Sequence, residues 1–311
     1  MKNMLITGGT GMVGKAIQEL ESTIPFKCFF ISSKMCDLTN YNETKKIFEK
    51  IQPTYVIHLA ACVGGLFKNM NEKVDMYEIN TLINLNVLKC CYEFKVQKCV
   101  CCLSTCIFPD KTTYPIDETM LHDGPPHYSN DAYAYAKRML EKHCTFYNEK
   151  YNTNFVCVIP TNIYGKHDNF HLEDSHVVPG LIHKCYLAKL NNEKFVVKGT
   201  GKPLRQFIYS TDLAKLILWV ASSYNEKSSI ILSVSESEEV SIKDVATTIA
   251  NVFDYESEMV FDSNFSDGQY KKTASNKKLL SYIKEFEFTP IQAGIHETVQ
   301  WFVSNYSVCR K

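Results

Sequence analysis

Short, nearly unbroken apolar runs alternate along this chain with longer stretches in which apolar residues return every three or four positions. The runs fall at 4–7, 27–31, 55–59, 98–103 and 155–159. The stretches between them, 13–20, 41–51, 77–94 and 131–151, have helical spacing, with Asn40 and either Asn130 or Asp131 placed as N-caps. Strand and helix in strict alternation build βαβ units, so the pattern predicts a parallel sheet wrapped by helices on both faces. Beyond about residue 165 the texture changes. Polar loops at 166–175, 191–193 and 264–272 separate shorter elements. The expected fold class is therefore α/β, a doubly wound parallel sheet over 1–165 and a smaller α/β lobe over 166–311, with some of the later segments returning to the first unit. There is no internal repeat and no low-complexity tract.

Composition narrows the function classes more than the fold. Of 311 residues, 34 are Lys or Arg and 34 Asp or Glu, so no global positive field exists to gather nucleic acid or an anionic membrane. The 13 cysteines are odd in number and partly adjacent, as at Cys90-Cys91 and Cys101-Cys102, unlike a secreted disulfide framework. A zinc site in the 99–106 cysteine cluster lacks a second ligand pair at finger-like spacing, so no metal is expected. The strand-like run begins within a few residues of Met1 and leaves no room for a signal peptide. No apolar stretch reaches the roughly 18 residues of a membrane span. These readings together lead to the expectation of a cytoplasmic protein.

Gly8, Gly9, Thr10, Gly11, Met12, Val13 and Gly14 follow the first strand and open the first helix. In that context glycines at 8, 11 and 14 allow a tight turn and a close backbone approach, so that amide groups and the helix N-terminus meet a dinucleotide pyrophosphate. A glycine-rich turn without a ligand is the alternative. A Rossmann unit selective for NAD carries an acid about 20 residues further on, for the ribose 2′-hydroxyl. Here the second strand ends in Ile31-Ser32-Ser33-Lys34. Ser33 and Lys34 suit the extra phosphate of NADP, although Lys34 also reads as an ordinary solvated lysine. Asp37 and Leu38 are expected beside the adenine.

Tyr133 and Lys137 are spaced i, i+4 on a predicted helix and share a face. Ser104 lies at the end of a sheet strand, where open α/β sheets place their ligands. A lysine ammonium beside a phenol favours the phenolate, so Tyr133 is expected to serve as acid or base near neutral pH. A tyrosine and lysine on an ordinary helix face is the plainer reading. If the chain is extended at 104–106, Ser104 and Cys106 point the same way, with a thiol next to the serine.

Seven segments taken together resemble a known family: GGTGMVG at 8–14, VIHLAACVGGLF at 56–67, CLSTCIFPDKTTYPIDE at 102–118, YAYAK at 133–137, PTNIYGKHDNF at 160–170, SHVVPGLIHK at 175–184 and RQFIYSTDLA at 205–214. Over its whole length the chain resembles the GDP-L-fucose synthases, 3,5-epimerases and 4-reductases of the extended short-chain dehydrogenase/reductase family, and most of all their eukaryotic form. The resemblance implies NADP(H) as cofactor and GDP-4-keto-6-deoxy-D-mannose as substrate. It implies that Cys106 removes the protons acidified by the C4 ketone, that His176 returns one from the opposite face, and that Ser104 and Tyr133 stabilise the enolate. Tyr133 would then protonate the oxygen as NADPH reduces C4, with Lys137 holding the nicotinamide ribose. Further cofactor contacts implied are Leu59, Ala60, Ala61, Leu103, Pro160, Thr161, Asn162, Ile163 and His176. Lys184 and Arg205 would meet the diphosphate, and Lys198 and Asp267 the rest of the nucleotide. A homodimer packed through the Tyr133 helix and the long helix before Cys99 is implied as well.

Two departures stand out. Lys198 occupies a position where many relatives carry tryptophan, and Thr10 stands where bacterial members often carry arginine, which shifts 2′-phosphate binding onto Ser33 and Lys34. Two other functions use the same framework. A nucleotide-sugar 4-epimerase or plain 4-reductase needs Ser104, Tyr133 and Lys137 but has no use for Cys106 and His176 together. A catalytically silent NADP sensor would need none of them.

Overall fold

The first apolar run folds as strand β1 (Asn3–Thr7) and the next four as β2 (Lys27–Ile31), β3 (Tyr55–His58), β4 (Lys98–Cys102) and β5 (Phe155–Pro160). The computed structural model describes residues 2–265, 267 and 269–311; Ser266 and Gly268, which flank Asp267, lie outside the described residues. Along one sheet the order is β2-β1-β3-β4-β5 followed by Ile230–Leu232, with every pairing parallel. Strand order reverses between β1 and β3, and open α/β sheets bind ligands at the carboxyl ends of the strands flanking such a switch point.

Alternation within the strands assigns the two faces. Leu5 and Val56 enter one core with Phe48, Val87 and Leu140, beneath helices α2 (Tyr41–Ile51), α4 (Lys73–Glu93) and α5 (Asp131–Tyr151). Met4, Ile6 and Ile57 enter the other, beneath α1 (Met12–Glu19) and α7 (Ser210–Ser223). Both faces are therefore apolar, as a sheet covered on both sides requires. The side chain of Asn40 caps α2, accepting from the amides of Asn42 and Glu43. Asn130 occupies the N-cap of α5 without a side-chain bond.

Two differences from the sequence pattern concern α3 (Leu66–Asn71), which falls in a stretch with no helical expectation, and α4, which begins at Lys73 rather than near 77. Tertiary contact extends α4 here: Met76 is wholly buried, and the Lys73 ammonium pairs with Asp131 at 2.7 Å, fixing the start of α4 to the start of α5.

The later half contributes both α7 and Ile230–Leu232 to the layers around the main sheet. Lys98, buried at the start of β4, donates to the carbonyls of Val220 and Tyr224 and so closes the C-terminal end of α7. A separate core holds the remaining lobe together. Phe170, Leu181 and Ile182, the last two from α6 (Val177–Asn191), pack there with Phe195, Val245, Ile249 and Phe302.

Candidate active site

The carboxyl end of β1 passes into a turn that admits only glycine at two points. Gly8 has φ +67°, and a Cβ there would stand 2.8 Å from the backbone nitrogen of Ala60, just past β3. A Cβ on Gly14 would lie 2.6 Å from the carbonyl oxygens of Gly8 and Gly9, so the first turn of α1 rests directly on the loop. Gly11 is the N-cap of α1 and supplies no side-chain cap, which leaves the amides of the first turn, Met12 and Val13 among them, without a side-chain acceptor. An anion is the natural partner for such a terminus, and the cradle fits a pyrophosphate. Thr10 and Gly9 complete the turn, with the Gly9 amide donating to Ile31 at 2.8 Å.

Beneath this turn runs a buried polar chain that no motif or spacing along the chain singles out. Thr7 Oγ1 bonds His58 Nδ1 at 2.8 Å, His58 Nε2 bonds Asn84 Oδ1 at 3.0 Å, and the Ala60 amide donates to Thr7 Oγ1 at 3.2 Å. It ties the loops after β1 and β3 together, the loops that carry Gly8 and the predicted Leu59, Ala60 and Ala61. Thr7 and His58 are direct register partners, a relation invisible before the strands are paired.

At the end of β2, Ser33 and Lys34 are exposed, as a site for the 2′-phosphate would need. Asp37 and Leu38 diverge. The Asp37 carboxylate accepts from the hydroxyl and amide of Thr39, bonds that hold it below the usual carboxylate range, while Leu38 is buried in the core under α2.

Ser104, Cys106, Tyr133 and Lys137 come together at the end of β4. The expectation of an extended chain at 104–106 does not hold: Thr105–Ile107 forms a single 3₁₀ turn. Ser104 is its N-cap and accepts from the Cys106 amide at 3.4 Å, so the serine and the thiol become neighbours through the turn rather than through strand alternation. Lys137, 2% exposed, donates from Nζ to the Cys102 carbonyl at 2.8 Å, and Nζ lies 5.7 Å from the ring centre of the half-buried Tyr133. Leu103, between them, donates its amide to Val158 of β5.

The pKa of Tyr133 shifts in the direction opposite to the expected one. Tyr133 was expected to have a lowered pKa. Burial instead pushes its phenol well above the ordinary range, and the nearby Cys106, Cys102 and Cys62 add to the rise. The Lys137 ammonium is itself desolvated, which lowers its own pKa, and it donates to the Cys102 carbonyl. The Cys106 thiol is also raised by burial, against the opposing pull of Lys272, Ser104 and Lys137.

Lys272 is a further residue the sequence did not single out, since nothing in its local spacing marks it. Half-buried, with its pKa lowered first by burial, it lies within electrostatic reach of Cys106, Arg205 and Asp110 and so links the thiol to Arg205. Arg205 donates from Nη1 to Leu204 and from Nη2 to Gln269, at 2.7 Å each, and burial lowers its pKa.

The remaining residues come from α6, from the loops around 198–200 and 267, and from the segment after β5. His176 is the N-cap of α6, open to solvent yet walled closely enough that burial lowers its imidazole pKa. Among the described residues no hydrogen bond reaches its ring. The loop before it is seated on Gly65, where a Cβ would meet the Asp174 backbone at 3.2 Å. Lys184, further along α6, is half-buried with its pKa lowered by burial and then by Lys198. Lys198 is exposed, its Nζ 4.5 Å over the Phe265 ring, and the Asp267 carboxylate accepts from the amide and hydroxyl of Thr200 at 2.6 Å each. Of the segment after β5, Pro160 ends the strand, Thr161 is buried, Asn162 bonds the Gln206 carbonyl at 2.8 Å and Ile163 packs on the core under α7.

Residues 4–234 match the model of the NAD dependent epimerase/dehydratase family. A GDP-L-fucose synthase of Dictyostelium discoideum is 56% identical over 100% of this chain and 98% of its own length. A probable GDP-L-fucose synthase of Drosophila melanogaster is 48% identical over 100% of both chains. The crystal structure of a GDP-L-fucose synthetase from Naegleria fowleri bound to NADP superposes with a TM-score of 0.95 at 52% identity, covering 100% of this chain and 95% of that one. The chain belongs to the NAD dependent epimerase/dehydratase family and, within it, groups with the GDP-L-fucose synthases.

Proposed function

We propose that this chain converts GDP-4-keto-6-deoxy-D-mannose to GDP-L-fucose, inverting C3 and C5 and then reducing C4 with NADPH. The observation that carries the reading is the turn of Ser104 and Cys106 beside Tyr133 and Lys137 at the carboxyl end of β4, because a plain 4-reductase or 4-epimerase has no use for the thiol. The relatives from Dictyostelium discoideum and Drosophila melanogaster, matched over nearly their whole length, are named a GDP-L-fucose synthase and a probable GDP-L-fucose synthase.

The C4 ketone acidifies the protons at C3 and C5. Cys106, as thiolate, takes one of them to leave an enolate, and His176, as imidazolium, returns one from the other face; one C–H bond breaks and one forms in each inversion, and proton exchange with solvent restores thiolate and imidazolium before the second. Ser104 and Tyr133 donate to the C4 oxygen while it carries enolate charge. When bound, NADPH supplies the hydride that reduces C4. Tyr133 gives the proton to the oxygen, and its raised pKa keeps it in the protonated form a donor needs. Lys137 orients Tyr133 and the nicotinamide ribose. Gly8 to Gly14 and the N-terminus of α1 hold the pyrophosphate, Ser33 and Lys34 the 2′-phosphate, and Lys184, Arg205 and Lys272 the substrate diphosphate.

Further parts of the proposal concern organisation. Residues 1–165 bind NADP and 166–311 mainly bind substrate. Two copies pair through α4 and α5, whose outer faces expose Val74, Leu82 and Leu85 and, on α5, Met139 and Phe146, the last 59% exposed. All thirteen cysteines are free, which suits the reducing cytoplasm; among the described residues no helix is long and apolar enough to cross a membrane.

The deciding experiment incubates the protein with NADPH and the 4-keto sugar nucleotide, follows reduced nicotinamide by absorbance and identifies the product by mass and NMR. GDP-L-fucose is expected. A product reduced at C4 with C3 and C5 retained would mean a simple reductase, and tight NADPH binding without turnover would mean the silent sensor.

A further inference from the structure

Two consecutive residues of α5 grip the chain on either side of the turn that holds Ser104 and Cys106. Lys137 takes the carbonyl of Cys102, before the turn, at 2.8 Å. Arg138 takes the carbonyl of Ile107, at the end of the turn, with Nε at 2.5 Å, and reaches the Gly124 carbonyl with Nη1 at 2.7 Å. Neighbouring helix residues project about 100° apart, so a single helix can reach both flanks.

The Arg138 side chain is buried, 5% exposed, and its fork lies between two segments that are also joined directly, by the Asp110 amide donating to Pro125 at 2.9 Å. Two diverging N–H donors on a rigid plane fix both carbonyls at once, which a lysine's single ammonium on a flexible stem does not. Nη2 has no partner among the described residues, so the burial of this charge is only partly compensated. The fork holds the turn to the same helix that carries Tyr133, one residue beyond Lys137.

We infer that Arg138 is a positioning residue for Cys106: by fastening the 105–107 turn to α5 it sets where the thiol stands relative to Tyr133, and so acts on proton transfer at C3 and C5 without touching the substrate. The chemical part rests on the proposed function; the placement of the thiol does not.

The test therefore begins with the thiol alone. Alkylation of Cys106 by iodoacetamide is followed by peptide mass spectrometry across pH in the full chain, for the native protein, R138M and R138K, with the half-buried Cys62 as internal comparator and NADPH affinity measured in parallel. R138M is expected to change the Cys106 rate by about tenfold or more, since displacements on the order of 1 Å cost up to about 100-fold at reacting groups, and to move its pH midpoint. Cys62 and NADPH affinity stay level, and R138K shows a smaller change in the same direction. With the sugar nucleotide, solvent deuterium entering C3 and C5 slows alongside, while reduction of the already inverted ketone changes less than about threefold.

Unchanged Cys106 alkylation in R138M overturns the inference, as do equal changes at Cys106 and Cys62 or equal losses of exchange and reduction, since any of these marks a general structural role. Should R138M not fold, R138K decides, with native-like Cys106 alkylation overturning the inference. A native protein that exchanges no deuterium refutes the proposed function and leaves the alkylation comparison to judge Arg138.

Discussion

The two sides of the candidate site are built in opposite ways. On the β4–α5 side, Ser104, Cys106, Tyr133 and Lys137 are fixed by hydrogen bonds to buried backbone and by core packing. On the α6 side, His176 and Lys198 are exposed, and the Asp267 carboxylate is engaged by Thr200. Yet desolvation pushes the groups of both sides toward neutrality. It raises the thiol and the phenol and lowers the imidazole and the ammonium of Lys184. Burial penalises charge of either sign, so one physical cause drives the pKa values of candidate bases and acids apart.

Removing the phenol is expected to have the largest effect. Tyr133→Phe is expected to lower reduction by about 100- to 10,000-fold, the range of a lost general acid, while deuterium exchange at C3 and C5 falls far less. Full reduction in that variant, seen by nicotinamide absorbance, would take Tyr133 out of the mechanism.

Next come the two sides one at a time. Cys106→Ser and His176→Gln should each slow exchange by about 100-fold or more, with NADPH affinity little altered. Either variant making GDP-L-fucose at the native rate would cancel its assigned role.

The cofactor loop allows a smaller, paired test. Gly14→Ala places a methyl 2.6 Å from the Gly8 and Gly9 carbonyls, whereas at Gly11 the nearest atom is 3.3 Å away. NADPH should therefore bind Gly14→Ala at least about tenfold more weakly, roughly 1.4 kcal/mol, and Gly11→Ala should be affected less, as titration of cofactor fluorescence can show. Equal effects would mean that helix-to-loop contact does not shape the cradle.

The pH profile gives the mildest effect and the finest test. In the proposed mechanism, exchange needs Cys106 as thiolate and His176 as imidazolium. With the thiol raised and the imidazole lowered, the product of the two fractions is constant between the two pKa values, because one grows as the other shrinks. Below the imidazole pKa exchange falls with the thiolate; above the thiol pKa it falls with the imidazolium. A broad plateau across neutral pH is expected, and a narrow peak between pH 7 and 8 would mean that the shifts are reversed when substrate binds.

Much of the framework was legible in the chain itself. Apolar runs and helical spacing located the first five strands and helices α1, α2 and α5 to within a residue or two, because a sheet buried on both faces leaves little room for polar positions. The glycine loop was legible for a related reason: a positive φ at Gly8 and backbone contact at Gly14 are demands that few other residues meet. What sequence alone left out depended on partners distant along the chain. The Thr7–His58–Asn84 chain exists only once β1 and β3 lie in register and α4 packs on them. Lys272 comes near Cys106, and Arg138 reaches Ile107 and Gly124, through contacts with no periodic trace.

The sheet, its helices, the glycine turn and the residue types available for proton transfer are thus written in the chain, since each follows from local stereochemistry or from periodicity. The tertiary structure decided the protonation of those residues and the route by which Ser104 and Cys106 become neighbours. Desolvation depends on every atom that surrounds a group, and the 3₁₀ turn at 105–107 is held by a helix that begins about 25 residues later.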